Sequence, residues 1–251
     1  MGILIYINIT ILGFIIGSFL NVCIYRIPKE QSISYPRSHC TNCSNEIRWY
    51  DLIPIASYIL LLKGKCRNCR EKISIRYPSI EFITGILYLM FYIKCGLTLE
   101  CLKYITFVTI LIVVGMIDFD TTDVYFSTTL TGTILAVLFI IANGYLYNNY
   151  KQYIFGGLIG GGIISIIILL TKGMGWGDAE ICLFSGLFLG FKFTVLMIFF
   201  SFVFGAAISL TLIALKKKNK KDYIPFGPFI VMAAIFTIFF GDNILLWYGV
   251  F

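Results

Sequence analysis

The chain has 251 residues, 59% of them hydrophobic and 13% charged, with a net charge of +7 and a mean hydropathy of +0.88. The charged fraction is about half that of a soluble domain, and stretches of about 17–23 residues with at most one charge recur, which is the length of a bilayer-spanning helix. An ordinary soluble domain is thereby excluded, and the basic excess calls for no nucleic-acid partner, since membrane topology and anionic lipid headgroups account for it.

Eight apolar runs are expected as helices, over about 3–25, 77–94, 102–117, 124–143, 154–171, 179–191, 194–215 and 226–248. The sixth is short for a full span and reads as a half-span or one arm of a helical hairpin. The first run has no basic segment before it, and Arg26 follows it, so it reads as a retained span rather than a cleaved leader. Sixteen of the twenty Lys and Arg residues fall in segment 26–76, at Lys172 or in the KKKNKK tract 216–221. With eight spans these all face one side, which the positive-inside rule makes cytoplasmic, with both termini outside. The fold class is therefore an all-α polytopic membrane protein of about eight transmembrane helices, in the lipid bilayer of the cell membrane. Its expected parts are a first helix (1–27), a small cytoplasmic domain (28–76) and a membrane core (77–251). No internal repeat is evident, and the glycine run GGLIGGG (156–162) reads as a close helix contact.

Segment 28–76 is too small to build much of a core unaided. It contains Cys40-Thr-Asn-Cys43 and Cys66-Arg-Asn-Cys69. Two C-x-x-C pairs near this separation are the pattern of a tetrahedral site of four thiolates, and a reducing cytoplasmic compartment argues against disulfides. The expected ligands are Cys40, Cys43, Cys66 and Cys69, and the expected metal is a structural zinc. His39 is then a bystander. Cys23, Cys95, Cys101 and Cys182 read as packing residues, although Cys95 and Cys101 share one short loop. Glu81, just after Arg76-Tyr-Pro78, reads either as a helix-start acid or as an anchor for the cysteine domain.

Only thirteen acids are present, and acids at membrane depth are costly. Asp118 ends the third run, with Asp120 and Asp123 close behind. Asp178 and Glu180 open the sixth, after a stretch with glycines at 173, 175 and 177. A helix-cap role fits Asp123 and Glu180 but not Asp118, which lies at a helix C-terminal end. Asp118 and Asp178 at one membrane edge suit an aspartic-protease pair, one carboxylate acting as base toward water and the other polarising the scissile carbonyl.

Five ordered motifs carry a resemblance: GSFLNVCIYRIP (17–28), SHCTNC with GKCRNCREKISIRYPSIE (38–43 and 64–81), GMIDFDTTD (115–123), GMGWGDAEICLFSGLFLG (173–190) and PFGPF (225–229). Together they resemble the bacterial type IV prepilin peptidases, membrane aspartic proteases of the GxGD type. The resemblance implies Asp118 and Asp178 as the catalytic pair and a type IV prepilin or pseudopilin as substrate. It also implies N-methylation of the new amino terminus with S-adenosylmethionine. Two positions depart from the family pattern: Tyr125 stands where a proline is frequent, and Glu180 where a lysine is frequent. Two other readings compete, a peptidase without methyltransferase activity and an ion-coupled transporter. A transporter's acids would line a midplane path rather than one edge.

Overall fold

The computed structural model describes residues 2–147, 150–216 and 224–249. The helices are α1 (Gly2–Arg26), α2 (Arg76–Cys95), α3 (Leu99–Thr121), α4 (Phe126–Tyr147), α5 (Lys151–Thr171), α6 (Trp176–Leu189), α7 (Phe191–Ala214) and α8 (Gly227–Trp247). All but α6 are long and apolar enough to cross a membrane. At 14 residues, α6 rises only about 21 Å, so the sixth element is short as expected. Among the described residues no strand forms, and two isolated antiparallel bridges, His39–Glu46 and Lys65–Lys72, are the only extended pairing. From Lys217 onward the KKKNKK tract lies outside the described residues.

The boundary that matters most differs from the sequence expectation. Helix α3 continues past residue 117 to Thr121, because no residue of Asp118-Phe119-Asp120-Thr121 breaks a helix. The chain turns at Thr122, which has φ 60°, and the Thr122 N–H still bonds the Asp118 carbonyl at 2.8 Å. Asp118 therefore sits in the last helical turn rather than beyond it.

Two compact units form, Met1–Ile105 and Thr106–Phe251. In the first, α1 and α2 run antiparallel. Lipid tails are as apolar as the helices, so association depends on close fit. A Cβ on Gly13 would come within 2.6 Å of the Gly85 backbone, and one on Gly17 within 2.7 Å of the Glu81 backbone. Asn21 closes the contact by donating to the Tyr77 carbonyl at 3.1 Å. Arg26, buried at the end of α1, donates to the carbonyls of Ser32 (2.8 Å) and Pro36 (2.6 Å) and so pins the chain that leaves the helix. The opening motif is thus a set of contacts that joins α1 to α2 and to the cysteine-rich segment.

In the second unit α6 is the core helix, buried along most of its length. The glycine run of α5 faces it. A side chain at Gly156 would strike the Gly186 carbonyl, and one at Gly160 the Cys182 carbonyl. Gly190, with φ 80°, reverses the chain from α6 into α7. Phe107, Phe139, Phe184 and Phe188 stack around α6. Helix α8 returns along α7 through Phe200, Phe204 and Phe236.

This packing predicts a contrast within one glycine run. Gly160→Leu forces a branched side chain into the α5–α6 contact and should cost about 3 kcal/mol or more. Gly162→Leu, where a Cβ would meet nothing within 4 Å, should be nearly silent. Thermal denaturation of the two variants in detergent checks this, and equal losses would contradict it.

Candidate active site and cysteine cluster

Asp118 is 2% exposed and Asp178 is 4% exposed. The two carboxylates are electrostatic neighbours within the second unit. Each binds a backbone amide at the start of a helix. Asp118 Oδ2 accepts the Gly227 N–H of α8 at 2.8 Å, a bond buried across 109 residues of sequence. Asp178 Oδ2 accepts the Gly175 N–H at 3.2 Å, closing the first turn of α6. Helix N-termini suit carboxylates because their free amides and dipoles favour negative charge. Asp120 and Asp123 are exposed.

Gly227, only part of a motif in the sequence, supplies the amide that Asp118 accepts. A Cβ there would lie 2.5 Å from Asp118 Oδ2, so the position must be bare for the carboxylate to reach the amide. Of the glycines before Asp178, Gly177 has the clear steric role, backing directly onto Val124 in the α3–α4 turn. Gly173 has no such neighbour. The signal for Gly227 was present in PFGPF, a glycine between prolines at the start of a span.

The two departures from the family pattern have local solutions. Helix α4 starts at Phe126 without a proline, and the Tyr125 carbonyl accepts from the Thr128 N–H at 2.9 Å. Glu180 is half-buried and accepts from Thr129 Oγ1 at 2.6 Å, which links α6 to α4.

In the first unit the sulfurs of Cys40, Cys43, Cys66 and Cys69 lie within 4.8 Å of one another. Cys40 Sγ and Cys69 Sγ are 3.8 Å apart. Four bonds of about 2.3 Å to one tetrahedral ion would separate the sulfurs by about 3.8 Å, so this cluster can hold a metal. His39 is not part of it; its Nδ1 pairs with the Arg37 carbonyl at 3.1 Å. Among the described residues the cysteines form no disulfide, Cys95 and Cys101 included.

The two cysteine loops are structural copies, offset by 26 residues, a repeat the sequence reading missed. The Cys40 N–H bonds the Asn45 carbonyl as the Cys66 N–H bonds that of Glu71. Ser44 and Arg70 share a left-handed φ of 55° and 61°. Asn42 donates to Cys69 Sγ and Asn68 to Cys43 Sγ, so each loop reaches across to the other. The Asn45 amide and then the Asn68 side chain bring the Cys43 thiol down to about 6. The amides of Cys69 and Asn68 lower Cys66. At Cys69 the Glu71 amide pulls the same way, but desolvation and the three crowded neighbours outweigh it and push the thiol up to about 11. Four sulfurs this close cannot all ionise without a cation among them.

An ion pair between the exposed Arg67 and the buried Asp51 braces the second loop. Arg67 donates twice to Asp51, at 2.9 and 2.7 Å, and this holds the Asp51 carboxyl below the usual carboxylate range. Glu81 contacts the cysteine-rich segment, as one sequence reading expected, and does so through a backbone amide. Its Oε2 accepts the Ile55 N–H at 2.7 Å, where Ile55 has φ 59°. Removing that acceptor leaves a donor unpaired, at a cost of about 1–3 kcal/mol. Glu81→Ala should therefore speed proteolysis within 28–76, while Glu81→Gln, which keeps an acceptor oxygen, should change it little. Limited proteolysis with peptide mapping reads both, and unchanged cleavage in Glu81→Ala would show that the bond anchors nothing.

Comparison with known proteins agrees with both units. Residues 11–95 match the model of the Bacterial Peptidase A24 N-terminal domain, and residues 105–210 match that of the Type IV leader peptidase family. A prepilin leader peptidase/N-methyltransferase of Bacillus subtilis (strain 168) is 31% identical over 95% of this chain and 95% of its own length. A protein of the same name from Legionella pneumophila is 29% identical over 97% of this chain and 94% of its own. One from Myxococcus xanthus (strain DK1622) is 35% identical over 60% of this chain and 44% of its own. No solved structure matches. The likeness to the Bacillus subtilis protein runs through both units at full length, and the chain is a multi-pass membrane protein that belongs to the prepilin leader peptidase family.

Proposed function

We propose that this chain cleaves the basic leader from type IV prepilins or pseudopilins, with Asp118 and Asp178 as the catalytic pair, and then N-methylates the new amino terminus. The observation that carries the first part is the burial of two interacting carboxylates, each held by a helix-start amide. The names of the relatives carry the second.

The pair acts as one acid and one base, because two neighbouring buried carboxylates do not both ionise. The ionised one takes a proton from a water whose oxygen attacks the scissile carbonyl carbon. The protonated one gives its proton to the carbonyl oxygen, and a neutral tetrahedral diol forms. On collapse the C–N bond breaks, the leaving nitrogen takes a proton from the pair, and a hydroxyl proton returns to it. The Gly227 and Gly175 amides hold the carboxylates in place through each transfer. The surplus of Lys and Arg in 26–76 and at Lys172 supports a cytoplasmic location for the cysteine domain and this site. The leader of a prepilin lies on that side.

Asp118→Asn and Asp178→Asn should each lower cleavage about a thousandfold or more. Gly227→Ala, which only displaces Asp118, should lower it about 10- to 100-fold. Asp120→Asn should leave it nearly unchanged. The readout is the mass loss of a purified prepilin, and near-normal cleavage by Asp118→Asn would overturn the assignment.

We further propose that the metal is zinc and its role structural. Four thiolates close a tetrahedral shell and leave no open position for substrate. When bound, the ion supplies folding energy, about 10–16 kcal/mol of apparent binding in small domains. Elemental analysis should find one zinc per chain, and Cys43→Ser should lose the metal and open 28–76 to protease. Pure protein without any bound metal would refute this.

A further inference from the structure

The cysteine-rich segment holds an apolar stretch that neither the aspartates nor the metal cluster explains. LIPIASYILLL (52–62) has no charged residue, although it lies in the most basic part of the chain. At eleven residues it is too short to span a bilayer and has the length of a re-entrant or interfacial piece. It is not a buried core. Ile59, Leu60 and Leu61 are 58%, 72% and 51% exposed, and Leu52 and Ile53 are exposed as well.

The depth of this stretch follows from its tie to α2. The Ile55 N–H bonds Glu81 Oε2 at 2.7 Å. Glu81 is the only charge in 77–93, the run between Arg76 and Lys94, and a bilayer needs about 17 residues or more. The whole run is therefore used, and Glu81 lies inside the span, about 8 Å along the helix from Arg76. Helix α1 gives the same level. Gly17 abuts the Glu81 backbone and precedes Arg26, the first charge of the chain, by about 14 Å of helix. The Ile55 amide is thus held at the depth of lipid headgroups and the first acyl carbons. Backbone at that depth must find its hydrogen bonds within the protein. The Ser57 N–H bonds the Ile53 carbonyl at 3.1 Å, the Ile59 N–H that of Ile55 at 3.1 Å and the Leu62 N–H that of Ser57 at 2.8 Å, around the helical turn Ser57–Leu61. The flanks fit the same setting. Trp49 is exposed before the stretch, and Lys63 and Lys65 follow it. Tryptophan settles at the headgroup level, and lysine stems lie along apolar surface with their charge in the polar layer.

We propose that residues 52–61 enter the bilayer leaflet on the side of the cysteine loops, with Leu52, Ile53, Ile59, Leu60 and Leu61 among the acyl chains. Lys63 and Lys65 then meet the phosphates of anionic lipids. Lipid is the occupant because the stretch is tied to a membrane-spanning helix at a level where lipid is the surrounding solvent. The cysteine loops gain a third hold on the membrane, besides α1 and α2. This interaction depends on neither cleavage nor methylation.

The test uses the full chain in phosphatidylcholine vesicles containing phosphatidylglycerol. A phosphatidylglycerol probe carries a diazirine near the glycerol end of its acyl chain, and the label is mapped by mass spectrometry after illumination. The label should fall on 52–61 as well as on the membrane helices, and spare the cysteine loops 38–47 and 65–73. It should exceed that from the matching phosphatidylcholine probe by about fivefold. Leu60→Gln combined with Leu61→Gln changes only exposed side chains. It should lower the label on 52–61 about fivefold or more and speed proteolysis there in vesicles. If that variant does not fold, the wild-type label map decides. Labelled membrane helices with an unlabelled 52–61 would overturn the proposal. So would protection of an unlabelled 52–61 from protease by added prepilin, or its cross-linking to a second copy of the chain, since the face would then belong to a protein. Equal label from the two probes would overturn the pairing with anionic lipid.

Discussion

Helices in a bilayer gain nothing from leaving lipid for one another, so they associate only where their surfaces fit closely. Both units meet that constraint with glycine. Gly13, Gly17 and Gly85 bring α1 against α2, and Gly156, Gly160 and Gly186 bring α5 against α6. Each contact fixes an acid that would be expensive if misplaced. The first sets Glu81 beside the cysteine-rich segment, where it meets the Ile55 amide. The second seats α6, and with it Asp178, in the middle of its unit. The short length of α6 follows from the same arrangement: it is shielded by its neighbours and need not match the thickness of the bilayer.

Much of this was legible in the residues because the signals were strong and local. Run length found every helix, and the spacing of Cys40, Cys43, Cys66 and Cys69 found the cluster. The acids stood out because the chain has so few. What stayed hidden depended on contacts distant in sequence. The Asp118–Gly227 bond spans 109 residues, and no periodicity announces a main-chain donor. The end of α3 was misjudged because hydropathy falls at Asp118 while the helix does not stop there. Apolar character marks where lipid ends, whereas the backbone turns only at Thr122. The paired cysteine loops were overlooked because the two copies share little beyond C-x-N-C and an isoleucine, yet their backbone bonds correspond one to one.

Those loops explain how a segment of about fifty residues holds a shape with little core. Each loop supplies two sulfurs and an asparagine that bonds a sulfur of the other. Neither loop completes the cluster alone. The segment is then tied down at three further points, by Arg26 to Ser32 and Pro36, by Asp51 to Arg67, and by Glu81 to Ile55. Two of these ties, Arg26 and Glu81, come from the helices on either side. The segment therefore depends on the α1–α2 contact as much as on its own cysteines.

The donor to Asp118 has an evolutionary consequence. A side-chain donor is lost by any of many point mutations, whereas an amide is present in every residue but proline. Drift along α8 can change its lipid-facing side chains freely and never delete that hydrogen bond. What inheritance must protect at position 227 is an empty volume, with neither a β-carbon nor a ring. The information for orienting this aspartate is thus stored as the absence of a substituent, and selection can see it only when something is added.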